Sequence, residues 1–239
     1  MLTAGGTDRC DGRRPDGSGR SRAGVASSGM VDRTAPSIAD RVHRSVHARL
    51  VFDRRRERLG TALSAALPAE PCAVLDIGCG SGEIGSDLAA GGRRVVGVEV
   101  LAREACAIPL VRFDGTRLPF PDGAFDAAVI VDVLHHTADP GAVLSEARRV
   151  TTGPVVVKDH LAESGRDRLT LSVMDWVGNR QFGVGRDGAY LSASEWDELF
   201  ASAGLEVALM ETDLDLYPAP AKPLFERRLH FVARLVAAG

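Results

Sequence analysis

The chain has 239 residues, of which 45% are hydrophobic and 26% charged, and its formal net charge at pH 7 is −3. This length allows one large domain, or one domain with a small appendage, and a full hydrophobic core. The small negative charge excludes a general attraction to nucleic acid or to anionic lipid. No apolar run approaches the roughly 20 residues of a membrane helix, so we expect no membrane partner. The four cysteines lack metal-ligand spacing, which favours reduced thiols in a cytoplasmic protein.

The first part of the chain divides into two segments. Residues 1–32 are rich in Gly, Ser, Arg and Asp and contain few large apolar side chains, so we expect disorder. Within residues 33–70, apolar side chains recur every three or four positions from Ser37 to Leu67, which predicts one or two amphipathic helices. The helical segment includes the run Arg54-Arg55-Arg56, which a basic RNA-binding arm would explain. We prefer a solvated helix face, because Arg replaces Lys almost throughout the chain.

An apolar run followed by glycines marks a ligand-binding turn. Residues 73–85 read AVLDIGCGSGEIG, typical of a buried strand, a tight loop and a helix. The spacing Gly80-x-Gly82-x-x-Gly85, with Glu99 closing the next strand, also fits a dinucleotide site. Asp76 disfavours that interpretation, because an acid at the first turn repels a pyrophosphate and attracts a cationic ligand.

Apolar runs and helical stretches alternate along the rest of the chain, which predicts a parallel sheet with helices on both faces. The expected helices are Glu83–Ala90 and Gly141–Val150, and the expected later strands are Arg94–Glu99, Pro109–Phe113, Phe125–Val131, Pro154–Lys158, Leu205–Glu211 and Leu229–Leu235.

Four motifs in order carry a family resemblance: VLDIGCGSG, VVGVEV, FDGTRLPFPDGAFDAAVIVDVLHH and GPVVVKDH. Together they resemble the class I S-adenosyl-L-methionine (SAM)-dependent methyltransferases, in particular the type 11-like small-molecule group, over Pro71 to Lys158. The resemblance implies an α/β, Rossmann-like, doubly wound sheet of seven strands with the last strand antiparallel. The domain would span residues 71–239, with a substrate cap around residues 161–194.

The resemblance also implies which residues bind SAM. Glu99 would accept hydrogen bonds from the ribose hydroxyls, Asp114 from the adenine amine, and Asp76 from the ammonium group, while Asp132 would lie beside the methionine portion. The competing interpretations are an exposed acid at a strand end for Glu99 and a turn-forming Asp-Gly for Asp114. The expected cofactor-binding residues are Asp76, Gly78, Gly80, Gly82, Glu99, Val100, Asp114, Gly115 and Asp132.

Three histidines are candidate catalytic residues. His135 and His136 follow the fourth predicted strand and His160 follows the fifth, and each could act as a general base if the acceptor arrives protonated. The alternative is that the His-His pair only shapes the cofactor pocket. We expect no metal: Asp132 and Asp159 resemble the magnesium ligands of catechol-type methyltransferases, but His160 replaces the amide or acid expected next.

The predicted cap is rich in aromatic side chains and arginines. Trp176, Tyr190 and Trp196 would enclose an apolar or ring-bearing acceptor. The alternative is that Met174 and Trp176 only bury a helix against the core. Acidic groups of a substrate could meet one of four arginines, Arg166, Arg168, Arg180 and Arg186.

The sequence therefore predicts a SAM-dependent methyltransferase that transfers a methyl group to O, N or C of a small-molecule acceptor. We place that acceptor in specialised or lipid-quinone metabolism. The alternatives are an RNA methyltransferase, a protein that binds SAM without methyl transfer and, disfavoured by Asp76 and Asp114, a nicotinamide dehydrogenase. The oligomeric state is left open.

Overall fold

The fold is built around a seven-stranded sheet. The computed structural model describes residues 38–101, 105–179, 189–219 and 222–239. The strand order is β3-β2-β1-β4-β5-β7-β6, in which β7 runs antiparallel to both β5 and β6. The predicted fold class, with its antiparallel last strand, is therefore confirmed. The strands are β1 (Ala73–Ile77), β2 (Arg94–Glu99), β3 (Leu110–Arg112), β4 (Ala127–Val131), β5 (Val155–His160), β6 (Leu205–Glu211) and β7 (His230–Ala237).

Helices cover both faces of the sheet, as the alternating pattern predicted. They are α1 (Ile38–Ala66), α2 (Glu83–Ala90), α3 (Pro140–Val150), α4 (Gly165–Asn179), α5 (Ala193–Ser202) and α6 (Lys222–Phe225), with a 3-10 turn at Leu134–His136. The predicted N-terminal helices form one helix, α1. Residues 1–32 lie outside the described residues. No helix in the described ranges is both long enough and apolar enough to cross a membrane.

Two apolar clusters hold the helices on the sheet. On one face, Leu144 of α3 and Trp196 and Phe200 of α5 pack against the central strands. On the other face, Leu59 and Leu63 of α1 pack with α2 and the same strands. Each of these side chains is at most 1% exposed. The ends of β2, β1, β4 and β5, four of the five parallel strands, are thereby held side by side, and the candidate site lies at their carboxyl edge.

Candidate functional site

The glycine loop after β1 brings bare backbone to the carboxyl edge of the sheet. Gly78, Gly80 and Gly82 have φ values of 71°, 56° and 76°, a region that L side chains rarely adopt. A Cβ at Gly78 would lie 2.5 Å from a methyl group of Val133. A side chain is therefore disfavoured at Gly78 for both conformational and steric reasons, and at Gly80 for conformational reasons, so that a ligand can approach the main chain closely at these positions.

Glu99, at the end of β2, ties this loop to the sheet. Its Oε2 accepts a hydrogen bond from the backbone N–H of Gly80 at 3.0 Å, and its Oε1 accepts from the N–H groups of Val100 at 2.9 Å and Leu101 at 3.3 Å. The residue is 7% exposed. A carboxylate offers about four lone pairs, so contact with ribose hydroxyls is compatible with these bonds and stays a prediction.

Asp76, the fourth residue of β1, is a buried acid with an unsatisfied oxygen. The residue is 3% exposed, and its Oδ2 has no hydrogen-bond partner among the described residues. Burial, reinforced by the charge of Glu99, raises the pKa of Asp76 to about 7, although the backbone N–H of Gly85 opposes this rise. A cationic group placed at Oδ2 would supply the missing partner and favour the ionised form.

Asp114 and Gly115 form the turn that follows β3. Oδ1 of the exposed Asp114 accepts hydrogen bonds from the hydroxyl of Thr116 at 2.7 Å and from its N–H at 2.8 Å. These bonds, the hydroxyl first, lower the pKa of Asp114. Gly115 has φ 85°. The turn-forming role is thus observed, and because these bonds use Oδ1, Oδ2 is the atom expected to meet the adenine amine.

Asp132, directly after β4, is neutralised by two cations that the sequence analysis missed. Its carboxylate forms ion pairs with Arg55 of α1 and with Lys158 of β5, whose side chain is 0% exposed. Burial alone would raise the pKa of Asp132, but Lys158 and Arg55 hold it well below its usual value. The residue itself has φ 55°. The predicted proximity to methionine stays a prediction, and this acid already has its counter-charges.

The arginine run of α1 connects this helix to three other parts of the domain. Arg54 pairs with Asp215, Arg55 with Asp132, and Arg56 with Asp87. The three arginine side chains are 34%, 28% and 43% exposed. The interpretation as a simple solvated face is therefore wrong, because each guanidinium reaches an acid on a different part of the domain.

His135 and Asp159 form a buried pair at the ends of β4 and β5. His135 Nδ1 lies 2.6 Å from Asp159 Oδ1. Burial lowers the pKa of His135, but the hydrogen bond to Asp159 and its charge outweigh burial and raise it. His135 Nε2 has no hydrogen-bond partner among the described residues and lies 3.6 Å from Asp175 Oδ2 of α4. Asp159 therefore fixes the Nδ1 edge of the ring, and the Nε2 edge faces α4 without a hydrogen-bond partner among the described residues.

The other two candidate histidines differ from His135. His160 is the last residue of β5, and its Nδ1 lies 3.2 Å from Asp159 Oδ1. Burial, followed by the charge of Lys158, lowers the pKa of His160. The His136 ring centroid is 3.9 Å from that of His135, and burial also lowers its pKa. The structure thus brings all three predicted histidines together, with His135 the best oriented by a carboxylate.

The predicted cap is only partly what the sequence suggested. Trp196 is 1% exposed, and its indole N–H donates to the carbonyl of His160 at 2.9 Å, so its assignment to the cap is wrong. Trp176 of α4 is 49% exposed. The Tyr190 hydroxyl donates to the carboxylate of Asp175, and its ring lies 5.9 Å from the ring of His135. Tyr190 is therefore one cap aromatic that reaches the histidines.

Two of the four arginines of the predicted cap lie within the described residues. Arg168 Nη2 lies 3.8 Å from Glu195 Oε2, at the start of α5. Arg166 is exposed on α4. Arg180 and Arg186 lie outside the described residues.

Sequence reasoning also missed His230 and Asp175. Both nitrogens of His230, which is 2% exposed, lack hydrogen-bond partners among the described residues, and its ring lies 5.0 Å from that of His160. Neither residue belongs to a recognisable motif. A usable signal existed only for Lys158, one of two lysines in the chain, inside an otherwise apolar strand.

Comparison with known proteins gives a local match in sequence. A family model described as a methyltransferase domain matches residues 75–153. Demethylmenaquinone methyltransferase of Beutenbergia cavernae is 37% identical over 109 residues, which cover 43% of this chain and 45% of that protein. The matches cover 34% to 45% of the length of such curated relatives. The resemblance carried by the four motifs is confirmed.

The whole fold matches solved structures at low sequence identity. The complex of the Trm112 methyltransferase activator with a putative methyltransferase from Haloferax volcanii aligns with a TM-score of 0.60 at 21% identity, covering 86% of this chain and 100% of that one. Magnesium protoporphyrin IX methyltransferase of Synechocystis PCC 6803, solved with bound SAH, aligns with a TM-score of 0.50 at 16% identity and covers 86% of this chain and 90% of that one. These structures support the fold.

Proposed function

Because residues 75–153 belong to the methyltransferase-domain family, we propose that the chain transfers the methyl group of SAM to a small-molecule acceptor of the phenol or quinol class. The cofactor of this domain is SAM. In the transfer, the bond between sulfur and the methyl carbon breaks as a bond from acceptor oxygen or carbon forms, and S-adenosylhomocysteine and a proton leave.

The unsatisfied Oδ2 of Asp76 is the observation that carries the proposal. It lies beside the glycine loop, at the edge of the sheet where this fold class binds ligands. The ammonium group of SAM carries the charge and the donors that this oxygen lacks. A dinucleotide would instead bring a pyrophosphate toward a buried acid, which Coulomb repulsion disfavours.

The acceptor side is supported by the histidine cluster beyond β4. Methyl transfer is a displacement, so most of its rate can come from holding donor and acceptor in line. His135, oriented by Asp159, directs Nε2 toward α4 and Tyr190, and this is the strongest of the three histidine positions for contact with an acceptor hydroxyl. His136 and His160 complete the surrounding ring cluster.

An aromatic acceptor is favoured by two observations. The rings of Tyr190, His135 and His160 lie within about 6 Å of one another, so this end of the site is aromatic, and half-buried Tyr190 is the ring of the three that an acceptor could contact most readily. Demethylmenaquinone methyltransferase from Beutenbergia cavernae also matches this chain, over 45% of the length of that protein. RNA methylation receives no support from the arginine run, because these side chains are occupied by Asp215, Asp132 and Asp87.

The proposal is tested in two stages. Calorimetric titration with S-adenosylhomocysteine, with NADH in parallel, should show micromolar binding of the first alone. Radiolabelled SAM is then offered with a panel of quinols and phenols. His135→Gln should abolish transfer while leaving S-adenosylhomocysteine affinity unchanged, and Asp197→Asn on the exposed surface of α5 is the matched control. Binding of NADH alone, or tight S-adenosylhomocysteine binding without transfer to any acceptor, would contradict the proposal.

A further inference from the structure

Three side chains at the acceptor end have the composition of a metal site. His135, His136 and Asp175 each place one ligand atom so that all three lie within 4.8 Å of one another. Among these ligand atoms, His135 Nε2 and Asp175 Oδ2 are 3.6 Å apart. Ligands bound tetrahedrally at about 2.1 Å from zinc lie about 3.4 Å from each other, so this pair needs little movement to share an ion.

The surroundings of His135 supply an independent second observation. Its Nε2 is buried and has no hydrogen-bond partner among the described residues, while its Nδ1 is held 2.6 Å from Asp159 Oδ1. A carboxylate behind the far nitrogen of a ligating histidine fixes the ring and raises its basicity. The Tyr190 hydroxyl donates to Oδ2 of Asp175, the oxygen that lies 3.6 Å from His135 Nε2, and so fixes the position of that carboxylate. The ring of His135 is thus oriented from its far side by Asp159, and the Asp175 oxygen that faces it is fixed by Tyr190.

A second group, His135, Asp159 and His160, also satisfies the distance criterion, and all its members are buried. These atoms are too close to share an ion, because Asp159 Oδ1 lies 2.6 Å from His135 Nδ1, less than the separation of two ligands of one ion; the same oxygen also accepts from the His160 backbone N–H at 2.8 Å. An ion there would have to break these bonds inside a fully buried space.

We propose that His135 Nε2, His136 and Asp175 bind a divalent transition-metal ion of the zinc class at the acceptor end of the site. Two imidazoles and one carboxylate leave at least one coordination position open, as catalytic zinc sites do. This differs from the sequence-based expectation of no metal, because Asp175 lies on α4, outside every motif, and only the fold brings it to the histidine pair.

The proposed ion deepens the methyl-transfer proposal and rests on it for its chemical role. A bound divalent ion lowers the pKa of a coordinated hydroxyl, so that an acceptor oxygen attacks more readily at neutral pH. The released proton leaves to solvent, while the S–CH3 bond breaks and the O–CH3 bond forms. His135 then acts as a ligand, which explains why its Nε2 faces Asp175 rather than a hydrogen-bond donor.

Cobalt titration tests the site without any methyl transfer. Full-length protein treated with a chelator is titrated with Co²⁺ and followed by its visible spectrum, and Zn²⁺ is then added as competitor. We expect one equivalent of Co²⁺ in a site of low coordination number and its displacement by Zn²⁺. His136→Ala and Asp175→Asn should each weaken Co²⁺ binding at least tenfold while retaining wild-type affinity for S-adenosylhomocysteine, which shows that they fold.

The matched control uses the chain's other histidine pair. His43 and His47 lie four residues apart in α1 and could bind cobalt adventitiously, so the double variant His43→Ala/His47→Ala should keep the full Co²⁺ signal. Loss of the signal in this double variant, or its persistence in both site variants, overturns the proposal, as does the absence of Co²⁺ binding. S-adenosylhomocysteine affinity is measured on the same samples, so failure of the metal site is distinguished from failure of the methyltransferase proposal.

Discussion

Replacement of Asp76 by Asn should stabilise the folded protein and weaken cofactor binding at the same time. The pKa of Asp76 is raised from 3.8 to about 7 by burial and by Glu99. Each pKa unit of that difference corresponds to about 1.4 kcal/mol. Compared with a neutral side chain at this position, ionised Asp76 therefore lowers the free energy of unfolding by roughly 4 kcal/mol. Asparagine keeps the volume and removes the charge.

The sign of the pH dependence follows from the two states of Asp76. In the unfolded chain the carboxyl ionises near 3.8, whereas in the folded protein it keeps its proton up to about 7. The contribution of Asp76 to stability is therefore lost as the pH rises from about 4 to about 7. Relative to wild type, Asp76→Asn should be more stable by roughly 2 kcal/mol at pH 5 and roughly 4 kcal/mol at pH 8.

Thermal and chemical unfolding at pH 5 and pH 8, each with and without S-adenosylhomocysteine, provide the assay. The variant should have the higher melting temperature without ligand, by roughly 8 to 16 °C at pH 8. Its affinity for S-adenosylhomocysteine should fall at least tenfold, because a hydrogen-bonded charge pair is lost. Asp197→Asn should change neither quantity. A variant less stable than wild type at pH 8, or one with unchanged affinity, would refute the reasoning.

Three further substitutions probe separate parts of the site. Arg55→Ala should lower the free energy of unfolding by roughly 3 kcal/mol, because it leaves the carboxylate of Asp132 with one cation fewer; denaturant unfolding measures this, with Arg58→Ala as the milder comparison. Asp114→Ala should weaken S-adenosylhomocysteine binding with almost no change in melting temperature, since Asp114 is exposed. Trp196→Phe should cost roughly 1–3 kcal/mol in stability by orphaning a buried carbonyl, yet leave cofactor affinity intact, which calorimetry checks.

Local patterns were sufficient to predict the strand and the glycine turn at which we propose that the cofactor binds. The strand at Ala73–Ile77 and the glycine turn are specified by adjacent residues, because buried strands need continuous apolar runs and positive φ values need glycine. Asp76 and Glu99 could be placed at one edge because parallel strands end on the same side of a sheet. The seven-strand topology, by contrast, came from the family resemblance and not from the residue pattern.

The sequence could not predict the ion pairs of α1, because the acids that pair with its arginines are distant in the chain. Arg55 and Asp132 are 77 positions apart, and nothing near either residue in sequence indicates the other. A charge run on a helix has the same appearance whether its partners are water or distant acids. The same limit applies to Trp196, which reads as part of an aromatic cap but belongs to a helix whose capping box begins at Ser192 and whose inner face packs on the sheet.

The ion pairs at the carboxyl edge of the sheet indicate which acid remains for a cationic ligand. Asp132 is paired with Arg55 and Lys158, and Asp159 Oδ1 lies within hydrogen-bond distance of Nδ1 of both His135 and His160, so neither acid attracts a further cation strongly. Asp76 retains an oxygen without a hydrogen-bond partner among the described residues, so under the proposed function the ammonium group of SAM would be drawn to β1. Strand β4 lies between β1 and β5 in the sheet. A cofactor held at β1 would therefore present its methyl group toward β4 and β5, where we propose that the histidine cluster meets the acceptor.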